Sequence, residues 1–305
     1  MALKDQIALG MSLPHRSPDP IAAAVVRQVA QRAEVLGFGD LWVTNNTLDH
    51  AGCFDSLTLL TYAAALTSTI RLGVSVLVLP VYSPVHVAHQ VATLDYLSGG
   101  RAVLGVGLGR EQHYPPFQVP RERRVRRFLE AVELMKALWT QPKVTYRGQI
   151  FQVEDGVMGP KPLQKPHPPV WLGGGHPDAL RRAAVIADGW MGAGGSSTAA
   201  FAKSVPLVRA ALEIAGRDPA TFPISKRVFM SVHERPEVAQ AEVHRWFSEV
   251  YHNPNLTTEG GVYGTPEQVR EQLEELVAMG ATHLLLNPIA RYTEQVEALA
   301  EVAGL

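Results

Sequence analysis

Trp171-Leu172-Gly173-Gly174-Gly175-His176-Pro177 is the segment whose residue types most directly suggest chemistry. A short apolar run passes into three glycines, and a helix is expected to begin at once, with Pro177 at its first position and Asp178 behind it. Backbone N–H groups left free at a helix start bind phosphate through hydrogen bonds and the helix dipole. A plain turn needing positive φ would use one glycine, so three in succession favour an anion cradle at Gly173, Gly174, Gly175 and His176.

A second glycine-rich segment, Leu104-Gly105-Val106-Gly107-Leu108-Gly109, lies on and after a predicted strand. It misses the dinucleotide pattern GxGxxG because position 110 is Arg. Two readings stay open. Glycines at a strand end let the backbone approach a flat ligand, or they mark a tight bend. The basic run Arg121, Arg123, Arg124, Arg126 and Arg127 reads mainly as a solvated helical face, with Arg124 the residue best placed to meet an anion.

Other chemistries lack their landmarks. There is no Gly-x-Ser-x-Gly elbow for serine hydrolysis. His86 and His89 sit three apart with no carboxylate or cysteine to complete a metal site, so no metal is expected. The single cysteine, Cys53, excludes an intramolecular disulfide and fits a reducing, cytoplasmic setting. A formal net charge of -1 gives no general pull toward nucleic acid or anionic membrane, leaving a small organic molecule as the expected partner. Met1 to Gln6 does not open an export signal, and no apolar run is long enough for a membrane span.

These segments must be positioned by the elements around them. Strands are predicted at Ile7–Met11, Leu41–Thr44, Ile70–Leu79, Ala102–Val106, Val170–Leu172, Gly189–Gly192, Ile224–Val232 and His283–Leu286, each separated from the next by helical periodicity. Eight strands alternating with helices, without a break long enough to separate two cores, predict one (β/α)8 TIM barrel over residues 1–305. A small hairpin with its turn at Arg147-Gly148 is inserted near 143–153, and Arg121–Trp139 is predicted as the helix before it. In such a barrel the reacting groups gather where strands end. Ser12, His15, Asn45, Asn46, Ser75 to Leu79, Gly107 to Arg110, Gly173 to His176, Gly192 to Ser196, His233 and Asn287 then converge on one face.

In order and spacing, several phrases resemble the bacterial luciferase-like superfamily over nearly the whole chain: Gly37-Phe38-Gly39-Asp40-Leu41-Trp42-Val43, Ile70-Arg71-Leu72-Gly73-Val74-Ser75-Val76, Asp95-Tyr96-Leu97-Ser98-Gly99-Gly100-Arg101, Trp171 to Gly175, and Ala187-Asp188-Gly189-Trp190. The resemblance implies a TIM barrel that binds coenzyme F420, or alternatively FMN, and moves a hydride or acts with O2 as a monooxygenase. It implies a non-proline cis peptide at Ser75-Val76 behind the cofactor ring. It also places Gly107, Leu108 and Gly109 along the cofactor, the Gly173 to His176 turn and Arg124 at its phosphate, and Asn45, Asn46 and Arg110 at the catalytic, substrate side. F420-dependent sugar-phosphate dehydrogenases of this family carry Asp-His where Asn45-Asn46 stand, and Glu where Arg110 stands, so that substrate class is not expected. Asp49-His50, His15, His113 and His233 are the remaining candidates for a base. A non-catalytic flavin-binding barrel is the competing reading. The resemblance further implies a homodimer built on the helices at Leu57–Leu66 and His86–Leu97.

Overall fold

The computed structural model describes residues 1–305. Its barrel strands are β1 (Ala8–Ser12), β2 (Asp40–Val43), β3 (Arg71–Val78), β4 (Ala102–Gly107), β5 (Val170–Gly173), β6 (Gly189–Gly192), β7 (Ile224–Val232) and β8 (His283–Pro288). All pair in parallel with their sequence neighbours, and β8 returns to β1, so the sheet is a closed eight-stranded barrel. The surrounding helices are α1 (Ala23–Leu36), α2 (Ser56–Leu66), α3 (Pro84–Leu97), α4 (Arg124–Thr140), α5 (Pro177–Ile186), α6 (Thr198–Ile214), α7 (Pro236–Glu249), the short α8 (Leu256–Gly260), α9 (Pro266–Ala278) and α10 (Tyr292–Ala303). No helix is long and apolar enough to cross a membrane.

Every residue of β7 is buried, which is the pattern of a strand covered on both faces. Most of the core lies between barrel and helices, while a separate cluster of Trp42, Val103, Trp171, Met191 and Leu285 fills the interior. Trp42 and Trp171 face one another at 5.2 Å between ring centroids. Below this plug, at the strand starts, a buried network joins Ser225, His283 and Asp40.

Three predicted details differ. Arg123 takes a left-handed φ of 59°, so α4 begins at Arg124 and not at Arg121. The hairpin pairs Val144–Arg147 with Gln152–Gly156, and its connection runs over Gly148 to Phe151. Glu130 on α4 fixes that connection by accepting the N–H groups of Gln149, Ile150 and Phe151. A ninth strand in the main sheet, Val262–Gly264, pairs with the end of β7; three residues are too few to show an alternation in sequence.

Ser98-Gly99-Gly100-Arg101 proves structural. The Arg101 guanidinium is buried and donates to the carbonyls of Ala64, Thr67, Ile70 and Ser98 and to the Thr67 hydroxyl. This cation closes the C-terminal turn of α2 and ties it to β4, complementing the negative end of the helix dipole.

Candidate active site

A cavity of about 1130 Å³ opens at the C-terminal ends of the strands. All thirteen site residues named from the sequence line it: Asn45, Asn46, Ser75, Val76, Gly107, Leu108, Gly109, Arg110, Arg124, Gly173, Gly174, Gly175 and His176. Ser12, His15, His233 and Asn287, which the strand ends also suggested, do not.

The three glycines of the β5–α5 turn serve three different purposes. A Cβ at Gly173 would lie 2.9 Å from Val76 Cγ1, so that position must stay bare. Gly174 holds φ at +145°, where side chains are strained. Gly175 has open space around a Cβ, so its backbone is approachable from the cavity. The N–H groups of Gly174, Gly175 and His176 have no acceptor within the chain. The turn itself is held, because Trp190 Nε1 donates to the Gly174 carbonyl at 2.8 Å and His176 Nδ1 caps α5 by accepting from Asp178 N–H at 3.2 Å. Two cations line the same cavity, Arg124 from α4 and Arg182 from α5. Arg124 is shared with Glu111 at 3.3 Å, and Glu111 also takes Arg121. Free amides at a helix start, in a cavity that guanidinium groups also line, are suited to a phosphate.

Gly105 and Gly107 resolve the second glycine-rich segment. β3 bulges between Val74 and Leu77, with a cis peptide at Ser75-Val76, so that two residues oppose one on β4. The Val76 side chain is received by β4 and β5, where a Cβ at Gly107 would come within 2.8 Å of it. At Gly105 a Cβ would overlap the Val74 carbonyl oxygen. These glycines therefore seat the bulge, and the bulge presents Val76 to the cavity.

Asn45, which lines the cavity, is also engaged within the chain. Its Oδ1 accepts from Val78 N–H at 3.2 Å and its Nδ2 donates to the Tyr82 hydroxyl at 2.9 Å, so the amide pins the end of β3. Asn46 is half-buried and Arg110 exposed at the rim. His113 Nδ1 accepts from Arg110 N–H at 3.0 Å, and burial pushes that imidazole's pKa down. His50 also lines the cavity, 5.7 Å from the ring of His252.

His15 stands outside the cavity lining. It is buried, with Nδ1 2.6 Å from the Leu13 carbonyl and Nε2 accepting from Thr44 N–H at 2.9 Å, which fixes the neutral ring between the ends of β1 and β2. Burial pushes its pKa down to about 4 from an ordinary 6.5. Between those two values the unfolded chain takes up a proton that the fold resists, so stability falls as pH drops from 6.5 toward 4, by about 3 kcal/mol if this group acts alone. Thermal melting across that window should show the loss, and a His15→Gln variant, though less stable at pH 7, should show a shallower slope. Equal slopes would remove His15 from the acid response.

Sequence reasoning missed the groups on β7. Lys226 is buried and donates to the carbonyls of Ala193 and Ser196 and to the Ser196 hydroxyl, each within 2.9 Å, holding the β6–α6 loop. Burial pushes its pKa down to about 7. Arg227 reaches across the barrel to donate to the Ser75 carbonyl at 2.9 Å and lines the cavity. Two cations interrupting an otherwise buried strand were the available signal, because such residues are almost never buried without a purpose.

Residues 7–259 match the family described as luciferase-like monooxygenase. An F420-dependent glucose-6-phosphate dehydrogenase of Kineococcus radiotolerans is 29% identical over 241 residues, 75% of this chain and 70% of that one. An FMNH(2)-dependent dimethylsulfone monooxygenase of Pseudomonas putida is 27% identical over 272 residues, 77% of this chain and 74% of that one. Among solved structures, an F420-dependent secondary alcohol dehydrogenase in complex with an F420-acetone adduct shares the fold at a TM-score of 0.85 and 21% identity, covering 97% of this chain and 98% of that chain.

Proposed function

The chain belongs to the luciferase-like monooxygenase family, and from that premise we propose that it transfers a hydride between coenzyme F420 and an organic substrate held in the barrel mouth. The observation that carries this is the β5–α5 turn, whose three unbonded amides belong to residues lining a cavity that Arg124 and Arg182 also line. That arrangement suits the phosphate of a cofactor tail. Val76, raised by the bulge, offers an apolar surface against which a flat ring system can rest.

F420, when bound, supplies the two-electron hydride chemistry. The chain's own role is positional: Gly174, Gly175 and His176 hold the tail, Trp190 and Asn45 fix the turn and the bulge, and the barrel wall screens the reacting face from water. The F420-dependent relative, matched over 70% of its length, supports F420 as the coenzyme. An FMN-dependent monooxygenase is the second reading, supported by the relative at 27% identity.

Fluorescence titration of the purified chain with F420 and with FMN separates the two. We expect F420 to bind about tenfold or more tightly than FMN, a difference of about 1.4 kcal/mol. Tight FMN binding with none for F420 would transfer the assignment to the monooxygenase. Binding of neither would end the redox assignment.

A further inference from the structure

Arg227 carries a charge that nothing in the chain neutralises. It is 8% exposed, and no carboxylate lies within ion-pair distance of it. Of its five N–H donors, one reaches the Ser75 carbonyl and one the Tyr251 hydroxyl at 3.3 Å, while Nε has no partner. Phe229 lies under the guanidinium at 4.9 Å, adding cation–π stabilisation but no negative charge. Burial and the neighbouring Arg16 both act against the charged form, yet an arginine stays protonated at any ordinary pH.

Its surroundings set the number of charges to be met. Arg16 is also largely buried and packs over the Tyr251 ring at 5.4 Å, but it forms an ion pair with Asp49 and is thereby balanced. Arg110, at the rim, stands 5.9 Å from the same ring and is exposed to water. Lys226, next to it on β7, is buried without a carboxylate as well, but it is held by the Ala193 and Ser196 oxygens and does not line the cavity. Arg227 is thus the buried cavity-lining cation left unpaired, and a buried charge without a partner is unfavourable by several kcal/mol. Arg16, Asp49, Arg110 and Tyr251 come from the segments after β1, β2, β4 and α7, and not from the β5–α5 turn.

We propose that Arg227, with Tyr251 and the Arg16–Asp49 pair beside it, binds a singly charged oxyanion of the substrate, so that the enzyme acts on an organic carboxylate or sulfonate. This rests on the oxidoreductase assignment for the meaning of "substrate", but the anion site itself does not. A monoanion in the mouth completes the charge balance of Arg227, using guanidinium donors left over by Ser75 and Tyr251.

Calorimetric titration with benzoate, methanesulfonate and uncharged benzamide, on the chain alone and on the chain loaded with the cofactor it takes, tests this. Benzoate or methanesulfonate is expected to bind at least about tenfold more tightly than benzamide, and an Arg227→Met variant to lose that preference while its cofactor affinity stays within about twofold. Gly175→Leu should keep the anion preference, since it alters only the phosphate end. Equal affinity for benzoate and benzamide in the unmodified protein, with methanesulfonate not bound, overturns the proposal without needing any variant. So does an Arg227→Met variant that keeps the preference, or one that melts normally but loses the cofactor, which would make Arg227 a member of the cofactor site. Anion preference without cofactor binding would sink the redox assignment alone, whereas cofactor binding without anion preference would sink only the present inference.

Discussion

Replacing Asp40 with alanine is expected to destabilise the protein by about 2–6 kcal/mol, since two buried donors then lose their acceptor at about 1–3 kcal/mol each. Asp40 is inaccessible to solvent at the start of β2, where its carboxylate accepts from His283 Nε2 at 2.9 Å, from Arg71 at 2.8 Å and from the Trp42 indole. His283 is bonded in turn to Ser225 at 2.7 Å. Serine, histidine and aspartate in hydrogen-bonded sequence suggest a hydrolytic triad, but the order of ring nitrogens is the reverse of that arrangement and the group lies under the tryptophan plug, at the stabilising face of the barrel.

The network's charge has a definite pH signature. His283 and Arg71, acting with the indole hydrogen bond, outweigh burial and hold the Asp40 carboxyl near 2, below its ordinary 3.8. A depressed carboxyl contributes stability that is complete above its unfolded pKa and is lost as pH falls through the folded one, here between roughly 4 and 2. Asp40→Ala leaves the buried His283 and Trp42 nitrogens without an acceptor and should abolish that acid dependence together with the stability. Urea unfolding at pH 7 measures the first effect, and repeating it toward pH 3 measures the second. A variant as stable as the parent would show that the network carries no stabilisation.

The barrel was legible because its signal is repetitive. Most of the β-strands are short apolar runs between helical periodicities, and Ile224–Val232 was delimited to the residue although Ser225, Lys226 and Arg227 interrupt it. Boundaries set by single backbone dihedrals were not legible, as the left-handed Arg123 at the start of α4 shows. The same division runs through the site. The Gly173 to His176 turn was readable because strand, glycines and helix start are contiguous in sequence. Asn45 lines the cavity, and its bonds to Val78 and Tyr82 depend on chain segments more than 30 residues away and leave no local trace. The unpaired state of Arg227 is harder still to foresee, since it is an absence of carboxylates summed over four loops.

Gly175→Leu should lower cofactor affinity by at least about 100-fold while leaving the melting temperature within about 2 °C of the parent. Free amides hydrogen-bonding a phosphate are charge-assisted contacts of about 1.5–3 kcal/mol each, so obstructing two of them exceeds the roughly 2.7 kcal/mol that corresponds to two decades. The fold should tolerate the change because a Cβ at Gly175 meets nothing within 4 Å. Gly174 supplies the contrast. A leucine there must also adopt φ +145° and presses its Cβ to 3.0 Å from Ala179, so binding and stability should fall together. Only Gly175 separates occupancy of the cradle from strain in it, and a Gly175→Leu protein that binds F420 or FMN as tightly as the parent would show that the cofactor's phosphate lies elsewhere.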